Sequence, residues 1–229
     1  MQQRQHRGPM PYIERDTSWM YFNKRILLEA MRPDLPLLER FNYLGIYSNN
    51  LDEFFRVRVA SLRRLIDSAE ELPSAERKKA KETLRTILRL NREYSQLFDE
   101  TFAQLVRELK AAHIHIINER ELTSSQEKEV LSFFMDKING FTNPIFINSP
   151  TFNPGQHLKE SLYLAVVLWH DQDEPETGHE VALLEVPVRE LGRFFRLHDE
   201  GGESYLMFLD DVIRYCLPYI FIGREYVQY

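Results

Sequence analysis

Apolar residues recur with two different periods along this chain, and the change of period falls near residue 110. Before it, the spacing is helical. Thr17 or Ser18 is placed to cap a helix reaching about Met31, with Trp19, Phe22, Ile26, Leu27 and Ala30 along one side. Pro33 and Pro36 interrupt the pattern, and Pro36 suits the first turn of a second helix over residues 36–47. Asn50-x-x-Glu53 has the spacing of a helix start, so a third helix is expected from Asn50 to about Glu70. Leu51, Phe54, Phe55, Val57, Val59, Leu62, Leu65 and Ile66 form its packing side, and Arg56, Arg63 and Arg64 face outward. From Ser74 to about Lys110 neither proline nor glycine occurs, which predicts one helix roughly 55 Å long at 1.5 Å per residue. Its stripe of Leu84, Ile87, Leu88, Asn91, Tyr94, Leu97, Phe98, Phe102, Leu105, Val106 and Leu109 predicts antiparallel pairing with the third helix.

Beyond His113 the pattern shortens. His113 to Ile117 alternates as a strand does, and Thr123 opens a helix to about Asn139. Residues 144–147, 162–169, 181–186, 192–197 and 205–208 are rich in β-branched and aromatic residues and read as strands. Asp171 to Gly178 reads as an acidic loop, Asp199 to Glu203 as a hairpin turn, and Leu209 to about Leu217 as a helix. The predicted fold class is α+β: an antiparallel helical bundle over residues 12–112, then an α+β domain with a mixed or antiparallel sheet over 113–229. Residues 1–11 read as a disordered leader. The final Tyr226 to Tyr229 reads as a strand, as if the chain were cut within a domain.

Composition changes this picture little, and charge changes it more. With 43% hydrophobic and 28% charged residues, the 229-residue chain is ordinary for one or two globular domains. The net charge of −6 is unevenly spread. Residues 1–110 hold 20 Lys and Arg against 16 Asp and Glu, and residues 111–229 hold 9 against 19. A basic first half attracts phosphate or a polyanion, although a long helical surface also carries mixed charge for solvation alone. The single Cys216 excludes an internal disulfide and a cysteine-based zinc site, and suits a small core residue. With neither an 18-residue apolar run nor a secretory leader, the expected compartment is the cytoplasm, and peripheral membrane attachment through partners stays open.

Residue types alone name no catalytic machinery. Gly201-Gly202 lacks the Lys-Ser/Thr of a phosphate loop. His113 and His115 share one side of a strand, yet no third metal ligand stands at a recognisable spacing. Asp210-Asp211 reads as the cap of a helix beginning at Val212. Arg56 and Arg58, two residues apart, face different sides of their helix: one can reach phosphate while the other pairs with an acid such as Asp52.

Wording goes further than composition. Ile13 to Ala30 (IERDTSWMYFNKRILLEA), Pro36 to Phe41 (PLLERF) and Tyr43 to Ala60 (YLGIYSNNLDEFFRVRVA) resemble the opening of the polyphosphate kinases of the ATP–polyphosphate phosphotransferase type. Val186-Pro187, Arg193 to Leu197 and Leu209 to Arg214 are similar to that family's second, head-like domain, while Thr142 to Pro150 departs from its proline-rich entrance. The resemblance is specific over the first 66 residues and scattered after residue 144. It implies the front portion of a larger enzyme that reversibly transfers the terminal phosphate of ATP to inorganic polyphosphate. It also implies Mg²⁺ held with the phosphates, a homodimer contacted through the head domain, and no nucleic-acid partner. The phosphohistidine of the catalytic cycle belongs to later domains, so none of His6, His113, His115, His157, His170, His179 or His198 is assigned to it, and this segment alone is expected to be inactive. The resemblance lays Asn50 against the adenine, with Asn49, Arg56 and Arg58 as secondary candidates and Ser48 on the same stretch. A helix cap is the competing role for Asn50. A non-catalytic docking or dimerisation module keeping the same fold is the alternative function.

Overall fold

The computed structural model of the chain describes residues 12–67, 73–169 and 179–222. The expected leader, the end of the third helix at Glu70, the acidic loop at 171–178 and the strand at 226–229 lie outside them, as do His6 and His170. The chain divides after Leu109 into two compact units.

The first unit is helical: α1 (Arg15–Ala30), α2 (Leu37–Phe54), a π-helical turn (Phe55–Val59) running into α3 (Ala60–Asp67), and most of α4 (Ser74–Ala111). Glu14, rather than Thr17 or Ser18, caps α1: its carboxylate accepts from the Thr17 N–H at 2.9 Å. Pro36 is the cap residue of α2 and not its first turn. The larger correction is at Asn50. The second helix passes straight through Asn49 and Asn50, so Asn50 caps nothing. Its side chain has a tertiary partner on α1, which outweighs the local preference of asparagine for helix ends.

The π turn explains a second difference. The Ala60 N–H reaches back to the carbonyl of Phe55, five residues earlier. One extra residue in the turn lets Phe54 and Val59 both face the core, and rotates Val57, expected inside, out to 46% exposure. On α1 the buried positions are Asp16, Met20, Asn23, Leu27 and Ala30, and Phe22 stands 47% exposed. Helix α4 runs antiparallel as expected, but against α2: Arg40 meets Glu108, Phe41 meets Phe102, and Tyr47 meets Phe98. Leu88 of its expected stripe is exposed.

The second unit carries two three-stranded sheets. One orders β1 (Ile114–Ile117), β6 (Ser204–Phe208) and β5 (Phe194–Arg196), with β1 parallel and β5 antiparallel to β6. The other orders β2 (Ile145–Phe146), β4 (His179–Val186) and β3 (Leu162–Trp169), all antiparallel. The strand patterns thus resolve into one mixed and one antiparallel sheet. Helix α5 (Ser124–Phe133) opens on a Thr123–Gln126 capping box and ends in a second π turn, Phe134–Ile138. The short helices α6 (Pro154–His157) and α7 (Val188–Leu191) lie between strands, and α8 (Leu209–Tyr215) and α9 (Leu217–Ile220) follow β6. Val130, Phe134, Leu168, Leu184, Met207 and Val212 meet in the core. The β5–β6 hairpin turns at Gly201 and Gly202, whose φ values of 62° and 87° suit glycine. Helix α8 begins at Leu209, so Asp210 and Asp211 occupy its first turn instead of capping it. They pair with Arg193 and Arg214. Cys216 is a buried core residue whose thiol burial pushes up to about 12, which makes it inert.

Candidate functional site

Helices α1 and α2 and the π turn enclose a cleft of about 320 Å³ lined by Trp19, Phe22, Asn50, Glu53, Phe54, Val57 and Arg58. Its walls are apolar and aromatic, with an amide, a carboxylate and a guanidinium between them. Trp19 stacks flat on Phe54, ring centroids 4.0 Å apart, which fixes the floor. Phe22 of α1 and Val57 of the π turn, both lining the cleft, are left exposed by the helix phases described above.

Asn50 is held from behind. Buried Asn23 donates Nδ2–H to the carbonyl of Tyr47 at 3.1 Å, and its Oδ1 accepts from Asn50 Nδ2 at 3.2 Å. This relay assigns the Asn50 amide: nitrogen committed to Asn23, oxygen available as an acceptor. Arg58 is held similarly. Its Nε and Nη2 bond the two oxygens of Asp16 at 3.1 and 3.2 Å, and Nη1 takes no part in that pair. Burial pushes the Asp16 carboxyl above its usual range and Glu14 adds to the rise, while Arg15 draws it down. The bidentate Arg58 contact also favours the charged form.

The other sequence candidates fall elsewhere. Asn49 and Ser48 are exposed and do not line the cleft. Arg56 points away from it and bonds Asp52, so the two arginines do face different sides as expected. Trp19 and Phe22, expected only on the packing side of the first helix, line the cleft, and Asp16, not assigned to a site from the sequence, braces Arg58. A signal was available: positions 16, 19, 20 and 23 share one helical face, and a carboxylate and an amide among apolar residues on such a face ask for partners. The second unit holds another unforeseen cluster. Glu203 bonds His113 Nδ1 at 2.7 Å and His115 Nε2 at 2.6 Å, and those hydrogen bonds, His115 first, hold its carboxyl below its usual range. The two histidines expected to share a side therefore share a carboxylate from the hairpin. Among the described residues no group of three metal-ligating side chains is placed around an ion, and no helix is long and apolar enough to cross a membrane.

Known proteins carry the same two units in the same order. The polyphosphate kinase N-terminal domain matches residues 12–117, and the polyphosphate kinase middle domain matches residues 125–229. The polyphosphate kinase of Escherichia coli K12 is 38% identical over 217 residues, and that of Vibrio parahaemolyticus 35% identical over 224. Each alignment takes in 93% of this chain and 30% of the relative, so the chain spans about a third of the length of these enzymes. The crystal structure of polyphosphate kinase from Porphyromonas gingivalis superposes with a TM-score of 0.82 at 27% identity, over 96% of this chain and 32% of that one. Both family domains are present, in order, across nearly all of its residues, and the chain belongs to the polyphosphate kinase family.

Proposed function

We propose that this chain is the nucleotide-holding front of an enzyme that reversibly transfers the terminal phosphate of ATP to inorganic polyphosphate. The observation that carries the reading is the Asn50 amide, fixed by Asn23 at the edge of an apolar cleft with its oxygen left as acceptor. An adenine ring fits such a place: its faces suit Phe22 and Val57, and its exocyclic amine donates to the Asn50 oxygen. Arg58, braced by Asp16, is the group in the cleft that can meet a phosphate. Mg²⁺ enters with the nucleotide phosphates, whose oxygens suit a hard cation. Neither Asn49 nor Arg56 lines the cleft, and neither is assigned a part in holding the nucleotide. The second unit supplies a contact between two copies of the enzyme, which works in the cytoplasm.

The test is Asn50→Ala in the complete enzyme that carries this chain. Asn50 lies mid-helix, where alanine is well tolerated, so the fold is expected to survive. Loss of one hydrogen bond of about 1 kcal/mol raises the KM for ATP roughly five- to tenfold. GTP, with a carbonyl where ATP has its amine, is expected to be the poorer substrate of the wild type, and the variant narrows that difference. An unchanged KM and an unchanged ATP-to-GTP ratio would remove Asn50 from the site.

A further inference from the structure

Helix α4 carries a feature that the nucleotide cleft does not use. From Arg77 to Arg92 it holds seven basic residues against one acid, Glu82. Five of them, Lys78, Lys81, Arg85, Arg89 and Arg92, succeed one another at spacings of three, four, four and three. At 3.6 residues per turn they fall within an arc of roughly 80° and form a ridge about 21 Å long. All five are exposed, and the opposite side of the helix is not free to turn outward: Ala80, Thr83, Ile87 and Leu90 are buried there. Among the described residues only Arg89 of the five has an ion pair, with Glu93 at 3.7 Å. Lys81, Arg85 and Arg89 are instead like-charge neighbours four apart, an arrangement that costs an isolated helix a few tenths of a kcal/mol per pair. The ridge is bounded. One turn past Arg92 the same stripe continues as Gln96, Asp99 and Glu100.

We propose that this ridge binds inorganic polyphosphate along its length, as a holding surface built from residues distinct from those of the nucleotide cleft. The inference rests on the reading of polyphosphate as the enzyme's substrate. A row of regularly spaced cations matches a linear polyanion, and arginine and lysine both bond phosphate oxygens. Two other polyanions fit less well. Residues 74–93 contain no aromatic side chain, and the first one after them, Tyr94, is buried, so the ridge offers no stacking platform for nucleic-acid bases. The apolar side of α4 is consumed by the core, so it has no face to sink into a lipid surface.

The experiment compares the complete enzyme that carries this chain with its K81Q/R85Q/R92Q variant. Binding of end-labelled long-chain polyphosphate is followed by fluorescence anisotropy across a range of sodium chloride concentrations. The variant is expected to bind at least tenfold more weakly, and its slope of log affinity against log salt is expected to be shallower by about 2, at roughly 0.7 per neutralised phosphate of a single strand. An E82Q/E93Q variant, which removes only the acids beside the ridge, is expected to bind more tightly. Equal affinity and slope in wild type and the triple variant would overturn the ridge. Displacement of polyphosphate by oligothymidylate of equal charge at equal concentration would overturn polyphosphate as its occupant in favour of nucleic acid. ATP-dependent polyphosphate synthesis by the wild type is measured on the same preparation. An inactive wild type refutes the kinase reading, whereas an active wild type with an indifferent triple variant refutes the ridge alone.

Discussion

Asn23 is 1% exposed and touches two carboxamide or carbonyl partners on the neighbouring helix, so it decides more than its place in α1 suggests. Its amide could not be buried unpaired without losing on the order of 1–3 kcal/mol. The same two bonds aim Asn50. Asn23→Leu keeps the branched shape and removes both bonds. The expected result is a loss of about 1–2 kcal/mol in urea unfolding, together with a higher KM for ATP, although Asn23 itself lies behind the cleft. Lost stability with an unchanged KM would make Asn23 a packing residue only.

At the scale of elements, the tie between helices is Arg40. It is 6% exposed, donates from Nε to the carbonyl of Ala30 at the end of α1, and grips both oxygens of Glu108 on α4. One α2 side chain therefore joins three helices. Arg40→Ala removes the carbonyl cap, the ion pair and the packing of its stem, with an expected cost of about 2–3 kcal/mol by chemical denaturation. Gln104 and then Arg40 hold the Glu108 carboxyl below its ordinary 4.5. A depressed carboxylate contributes stability that is present above its unfolded pKa and is lost as pH falls through its lower folded value. The wild type is therefore expected to lose stability on acidification below about pH 4.5, and Arg40→Ala to lose less over the same interval. Parallel acid limbs in the two proteins would dismiss the pair as a contributor. The π turn belongs to this scale too. A helix running from Leu37 to Asp67 at 3.6 residues per turn cannot turn both Phe54 and Val59 inward, and the inserted residue resolves that conflict at the wall of the cleft.

In the whole molecule the two units carry separate cores, one around Leu27, Ile87 and Tyr94 and one around Val130, Phe134 and Leu184. A cavity made in one is expected to be felt there alone. Ile87→Ala should cost about 2–5 kcal/mol in the first unit, with Phe134→Ala costing about 3–5 kcal/mol in the second. Hydrogen exchange read by mass spectrometry checks this: faster exchange should stay within residues 12–109 for the first variant and within 110–222 for the second. Faster exchange across both units in either variant would mean that they unfold together.

The sequence alone determined the kind and order of the longer elements, though not the short helices α6, α7 and α9 or the continuity of α2 through Asn50. Helical spacing from Ser74 to Leu109 and the β-branched runs at 162–169 and 181–186 reflect local sterics and burial on one face, which short-range pattern records well. The wording from Ile13 to Ala60 carried the family. Tertiary structure decided what pattern cannot encode. Asn50 reads as a cap because asparagine bonds a nearby helix end when nothing better is offered, and only folding brings Asn23 across to offer something better. Asp16 and Arg58 stand 42 positions apart, and His115 and Glu203 stand 88 apart, so no spacing along the chain announces either pair. The phase shift at residues 55–59 depends on which face the neighbouring helices leave to be covered, and that choice is made only when the core closes.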